Sequence, residues 1–281
     1  MTLRQARRQA ADTLSALEDP LLEAELMLRH VTGLPRHRMI LELDRRMTAG
    51  EAEDFFYLVG RRAEREPLQH LTGTVDFMGR EFRSGPEALV PRPETEILTG
   101  IFMGQLNEPK LLADVGTGSG VMAVTLALEY PNATVIGTDA SREALELART
   151  NRDIHGTKNL LLVCGDLLRH FADGPCLDGI VANLPYLPSS CIETLQPEVR
   201  DWDPGMALDG GPDGLDLVRS LLKQAPRIMR EGGILALELD PSQVTVVSTL
   251  IEASCIGSAK VHRDLTGSPR FITTIKGTEE I

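Results

Sequence analysis

The sequence predicts an α/β protein: a mostly parallel sheet covered by helices, with a small helical bundle ahead of it. Three observations carry this expectation. Residues 2 to 72 show helical periodicity only, short apolar strands alternate with helical stretches from Lys110 onward, and several strand ends carry glycines or acids. Alternation of that kind implies strand–helix–strand units and hence a parallel sheet. With 281 residues, 42% apolar and 25% charged, the chain is long enough for two such bodies. We expect a helical domain at 1–74, a hairpin linker at 75–93 and the sheet domain at 94–281.

In the first segment Leu14, Leu17, Leu21, Leu22, Leu26 and Leu28 recur at three- and four-residue steps, which predicts one buried helical face. Asp19-Pro20 reads as a helix start, Gly33-Leu34-Pro35 as its end, and Thr48-Ala49-Gly50-Glu51 has capping-box spacing. No cluster of catalytic residue types occurs there. The segment therefore either supports the second domain or recognises a macromolecular substrate. Two short apolar stretches around Gly79-Arg80 predict a β-hairpin. Val90-Pro91-Arg92-Pro93 makes a stiff polar approach to the next helix, suited to lining a pocket mouth or to capping that helix.

Four strand ends then carry polar chemistry. Leu111–Val115 runs into Gly116-Thr117-Gly118-Ser119-Gly120, a turn whose glycines allow a ligand to approach the backbone. It fits neither the dinucleotide GxGxxG spacing nor a phosphate-binding P-loop. Ala133–Thr138 ends in Asp139, placed to accept hydrogen bonds from ribose hydroxyls or to cap the next helix with Ser141. Asn159–Val163 leads to Cys164-Gly165-Asp166-Leu167, where Asp166 either accepts from a base amino group or caps a helix. Gly179–Ala182 ends in Asn183-Leu184-Pro185-Tyr186. An Asn side chain and a following main-chain carbonyl both accept from an NH2 group, and a Tyr ring offers a stacking face. That set suits methylation of a planar, weakly nucleophilic nitrogen, although taken alone the tetrad also reads as an ordinary strand-to-loop turn. Ligands of open α/β sheets bind along this carboxyl edge.

Composition narrows the function classes. A formal net charge of −12 argues against wrapping a nucleic-acid backbone. Cys164, Cys176, Cys191 and Cys255 have no paired spacing, so reduced thiols are expected and neither disulfides nor zinc. No run approaches a membrane span, and Met1–Ala11 has no apolar stretch of a secretory signal, so a cytoplasmic protein is expected.

Together these residues resemble the PrmC/HemK family, protein-(glutamine-N5) methyltransferases acting on peptide chain release factors. The likeness covers nearly the whole chain. It rests on Pro67–Gly73, Val90–Glu96, Asp114–Gly120, Leu208–Asp216 and Asp264–Phe271. The resemblance implies a Rossmann-like, S-adenosylmethionine-dependent methyltransferase domain with a seven-stranded sheet. By likeness S-adenosylmethionine sits at Gly116, Thr117, Gly118, Ser119 and Gly120 with Asp139, Asp166, Leu167 and Asn183, and leaves as S-adenosyl-L-homocysteine. Asn183, Leu184, Pro185 and Tyr186, with Arg92 and Pro93, are implied to hold the glutamine of the Gly-Gly-Gln motif of class I release factors. The N-terminal helices are implied to help bind that factor. No metal, no membrane, no direct nucleic-acid contact and a monomer are expected.

Two departures stand out. The family's tetrad is usually Asn-Pro-Pro-Tyr, whereas Leu184 stands second here, which predicts a less rigid loop. Leu239-Asp240 stands where the family commonly has a glycine before the Gln243 helix. Asn-Leu-Pro-Tyr also looks like the tetrad of ribosomal RNA adenine dimethyltransferases. The alternative reading is therefore amino-methylation of adenine or cytosine in nucleic acid.

Overall fold

A computed structural model describes residues 1–174 and 176–277. In chain order it contains helices α1 (Leu3–Thr13), α2 (Pro20–Thr32), α3 (Arg36–Leu41), α4 (Ala49–Ala63) and α5 (Leu68–Thr72), then a hairpin of β1 (Thr74–Phe77) and β2 (Arg80–Arg83). There follow α6 (Pro93–Met103), β3 (Leu111–Val115), α7 (Val121–Glu129), β4 (Thr134–Asp139), α8 (Arg142–His155), β5 (Leu160–Cys164) and β6 (Leu177–Ala182). The short helix α9 (Pro197–Arg200) precedes α10 (Asp216–Ile228), β7 (Met229–Glu238), α11 (Val244–Ala253), β8 (Lys260–Arg263) and β9 (Pro269–Ile275). No helix among the described residues is long and apolar enough to cross a membrane.

The chain divides into two compact units. One is Met1–Thr74 with Gln196–Trp202; the other is Val75–Leu195 with the chain from Asp203 onward. In the first unit, Leu3, Leu14, Met27, Leu28, Met39 and Phe55 form a fully packed core. The helix ends follow their capping chemistry: Asp19 Oδ1 accepts from Leu22 N at 3.1 Å, and Thr48 and Glu51 close a reciprocal box. The expected leucine face needs one correction. Leu21 and Leu22 are 53% and 44% exposed, because the packed face of α2 begins one turn later at Ala24. Gln196–Trp202 joins this unit through charge: Glu198 pairs with Arg62 at 3.4 Å and with Arg65 at 2.7 Å, while Arg62 also pairs with Glu23.

The second unit is built on one seven-stranded sheet of order β5-β4-β3-β6-β7-β9-β8. Only β9 runs against its neighbours β7 and β8. Successive residues of a strand point to opposite faces, so each strand feeds two cores. Ala113, Ile180, Ala182 and Leu235 pack with α10 and α11, whereas Leu112, Val181, Ile234 and Ala236 pack with α6, α7 and the hairpin's Phe77 and Phe82. The hairpin thus belongs to the sheet unit, turning at Met78 and Gly79, both at positive φ.

The strand order reverses between β3 and β6: the chain moves outward through β4 and β5, then returns to the other side of β3. Open α/β sheets bind ligands in the crevice at such a reversal. Val115 lies in register with both Thr138 and Ala182. Gly116, Asp139 and Asn183 therefore leave the sheet at one level of one edge.

Candidate active site

A cavity of about 620 Å³ opens at that edge. It collects most of the residues the sequence singled out: Gly116, Thr117, Gly118, Ser119, Asp139, Asp166, Leu167, Asn183, Leu184, Pro185 and Arg92 all line it. Gly120, Tyr186 and Pro93 do not. Gly120 turns at φ +80° beside Ala148 of α8, where a side chain would collide. Pro93 is the first residue of α6, the position that proline favours.

The glycine loop is fastened by carboxylates. Asp139 Oδ2 accepts from Gly118 N and its Oδ1 from Ser141 N, both at 2.9 Å. Gly116 N and Thr117 N donate to the Thr138 carbonyl at 2.8 and 2.9 Å. Below the loop, Asp114 Oδ2 accepts from Thr117 Oγ1 at 2.6 Å and from Ala123 N at 3.0 Å, tying both ends of the turn together. Burial pushes the Asp114 carboxyl up to about 7, against those two hydrogen bonds.

The cavity wall is acidic. Glu87, Asp139, Glu143 and Asp166 line it, with Arg92 as the lone cationic side chain among the described lining residues. Arg92 is itself paired with the buried Asp203 at 3.2 Å, whose other oxygen accepts from Val90 N at 3.4 Å. Asp203 thereby joins the segment before α6 to the one after α9. Its carboxyl is raised by burial, with Arg92 working against that. Such a lining favours a ligand bearing positive charge.

The tetrad is held from beneath by side chains that the sequence reading did not single out. Asn183 Nδ2 donates to Thr95 Oγ1 at 3.0 Å, and Thr95 Oγ1 donates to Glu238 Oε2 at 3.0 Å. Glu238 is buried, and burial drives its carboxyl up to about 7. Tyr186 stands within the field of Glu238, Arg270, Asp240 and Glu94; burial first and Glu238 next push its hydroxyl up to about 12. Gln243 Nε2 donates to the Tyr186 carbonyl at 2.7 Å and to the Asp213 carbonyl at 3.2 Å.

The Asp-Gly-Gly loop is the tetrad's second support. Gly210 N donates to the Leu187 carbonyl and Leu187 N to the Leu208 carbonyl. A β-carbon on Gly210 would lie 2.6 Å from the Pro185 oxygen, and one on Gly214 would collide with the Tyr186 oxygen. The glycines at these positions let two main chains touch. Leu184, at 4% exposure, packs in the core with a methyl against Gly116.

Among the described residues no group of three or more His, Cys, Asp or Glu side chains is placed to hold a metal ion. The four cysteines are free and exposed.

Comparison with known proteins follows the same lines. Residues 110–264 match a methyltransferase domain family, and residues 5–73 match the PrmC N-terminal domain. In fold, the chain is similar to a methyltransferase from Pyrococcus furiosus (TM-score 0.54, 22% identity, 72% of this chain and 91% of that one). It is likewise similar to the 16S rRNA N2 G1207 methyltransferase of T. thermophilus (TM-score 0.53, 17% identity, 72% and 49%). The family match over residues 110–264 makes the sheet unit a methyltransferase domain. Two curated relatives are release factor glutamine methyltransferases: that of Moorella thermoacetica is 41% identical over 99% of this chain and 100% of its own. That of Deinococcus radiodurans is 40% identical over 97% and 98%. The chain belongs to this release factor glutamine methyltransferase family.

Proposed function

We propose that the protein transfers a methyl group from S-adenosylmethionine to the side-chain amide nitrogen of the glutamine in the Gly-Gly-Gln motif of class I release factors. The observation that carries this reading is Asn183: its NH2 end is engaged inward, which leaves its carbonyl oxygen for an incoming amide. The membership of nearly the whole chain in a glutamine methyltransferase family supports glutamine over a nucleic-acid base as the acceptor.

S-adenosylmethionine, held by the Gly116–Gly120 loop, Asp139, Asp166 and Leu167, supplies a methyl on a cationic sulfur and is released as S-adenosyl-L-homocysteine. The acidic lining of Glu87, Asp139, Glu143 and Asp166 favours that charge. Asn183 Oδ1 and the Leu184 carbonyl accept from the glutamine NH2 group and turn its lone pair towards the donor. Pro185 bounds the amide plane on the cavity side and Tyr186 on the other. Arg92, fixed by Asp203, stands at the mouth. Positioning of this kind contributes roughly 7–11 kcal/mol to such transfers. The nitrogen gives up a proton to solvent, and the transfer needs neither a covalent enzyme intermediate nor a metal. The N-terminal unit recognises the release factor, and the protein acts in the cytoplasm as a monomer.

The test is transfer of labelled S-adenosylmethionine to a purified release factor, ribosomal RNA and duplex DNA in parallel, with the modified residue located by mass spectrometry. Label on the Gly-Gly-Gln glutamine is expected. Label on nucleic acid alone would sink the proposal.

A further inference from the structure

A carboxamide has two ends of nearly the same shape, one accepting and one donating, so something must choose which end of Asn183 faces the cavity. The inner contacts have a direction. Asn183 Nδ2 donates to Thr95 Oγ1, and Thr95 Oγ1 donates to Glu238 Oε2, each at 3.0 Å; Asn183 also hydrogen-bonds to the Glu238 carboxylate. An ionised carboxylate only accepts. A hydroxyl has one hydrogen, so once Thr95 gives it to Glu238, the Thr95 oxygen is left to accept from Asn183. Each end of the series thus follows from the acceptor at its base.

We infer that Glu238 and Thr95 are positioning residues that fix the flip of the Asn183 carboxamide, turning Oδ1 to the substrate NH2 group and Nδ2 away from it. The inference rests on the reading of Asn183 as the acceptor for that group.

The placement of Glu238 supports this. It ends β7 between Leu237 and Leu239 and is 3% exposed. A buried carboxylate costs free energy that an apolar residue of similar size would not. Thr95 is buried as well, and its carbonyl accepts from Thr99 Oγ1 at 2.7 Å, which holds that turn of α6 in place. The charged and titratable groups around Glu238 are Glu94 of α6, Arg270 of β9 and Tyr186 of the tetrad, with Asp240 acting on Tyr186. Arg270 favours the carboxylate, and Glu94 opposes it. Burial outweighs both and raises the carboxyl to about 7.

Protonation reverses the logic. A Glu238 carboxyl that holds its proton on Oε2 donates to Thr95, whose hydroxyl is then free to donate to the Asn183 oxygen. The carboxamide turns over, and Nδ2 faces the substrate's own N–H groups. Turnover is therefore expected to fall as pH drops through about 7, from the ionised, aligned state to the protonated one.

The experiment uses the full chain with a purified release factor and S-adenosylmethionine, and compares Glu238→Gln, Thr95→Val, Thr95→Ser and Asn183→Ala. A Gln at 238 presents either end, so it removes the preference without changing size. We expect Glu238→Gln and Thr95→Val to lose about a hundredfold in kcat, with unchanged S-adenosylmethionine affinity by calorimetry. Thr95→Ser should recover most of the turnover that Thr95→Val loses. A readout without catalysis is the Asn183 side-chain NH2 pair in a 1H–15N spectrum, assigned by its disappearance in Asn183→Ala. That pair should titrate near 7 in the wild type and stay still in Glu238→Gln. If a variant fails to fold, the wild-type titration decides alone. A pair that does not move with pH, or full kcat in Glu238→Gln, overturns the inference. Loss of kcat in Asn183→Ala beside full kcat in Glu238→Gln removes the positioning role only; full kcat in Asn183→Ala removes the underlying site reading.

Discussion

The loop after β3 and the loop after β6 line the same cavity and are built in opposite ways. Gly116–Gly120 is fastened by near neighbours: Asp114 and Ala123 in its own turn, and the main chain and carboxylate of Thr138 and Asp139 at the adjacent strand end. Asn183–Tyr186 is fastened by side chains far away in sequence: Thr95 and Glu238 from below, Gln243 and the glycines at 210 and 214 from behind. Each loop rests on one buried carboxyl raised to about 7, Asp114 under the first and Glu238 under the second. The first design needs its own turn and one adjacent strand end, the second contacts gathered from several distant elements. On the roles proposed for the two loops, the contrast predicts that donor binding and acceptor alignment are separable by mutation.

The strongest blow to the second loop is Gly214→Ala. Gly214 has φ +77°, and a β-carbon there meets the Tyr186 oxygen and lies 2.5 Å from Gln243 Nε2. Main chain has to move, so we expect kcat to fall by about a hundredfold or more and the melting temperature to drop. Donor affinity should change little, because the first loop does not depend on that contact. Calorimetric titration beside a thermal melt checks both parts.

Asp114 sharpens the comparison through pH. Its folded carboxyl holds a proton that the unfolded chain releases in the ordinary carboxylate range, so the native state binds more protons between that range and about 7. The stability it contributes is present at low pH and is lost as pH rises through about 7; Glu238 adds the same sign. Denaturation midpoints should decline across that window and level off above it. Asp114→Asn should flatten its share of the slope and weaken donor binding, and a slope of the opposite sign would contradict the assignment.

Leu184→Pro carries the smallest expected effect. It restores the commoner family tetrad but removes a buried side chain that touches Gly116. The two changes oppose each other: we expect a stability loss of about 1–3 kcal/mol and a kcat close to that of the native chain. A large gain in kcat would mean that the leucine had left the loop loose.

The contrast also explains what was legible in the sequence. Strand–helix alternation gave the sheet because period-two burial and helix caps are local properties. Gly116, Asp139, Asp166 and Asn183 were legible because each stands directly after an apolar strand, and register alone carries them to one edge. Thr95 and Glu238 were not, since Thr95 reads as a first-turn helix residue and Glu238 as an acid within an apolar strand. An acid inside the run Ile234–Leu239 was the one signal that would have pointed to it. Leu208–Asp216 was legible only as a stretch of family likeness, whereas its glycines at 210 and 214 serve contacts with Pro185 and Tyr186 that the fold creates. Leu21 and Leu22 misled for the converse reason: periodicity marks a face and does not say where packing starts along it.

The most direct test of separability sets Asn183→Ala beside Asp139→Ala, measuring S-adenosylmethionine affinity by calorimetry and kcat at saturating donor with a release factor. Asn183→Ala is expected to lose about 10²–10³ in kcat, the scale of one lost transition-state hydrogen bond, with affinity kept. Asp139→Ala should lose affinity and, once saturated, keep most of its turnover. Equal loss of both quantities in both variants would contradict the account, because the two loops would then form one unit.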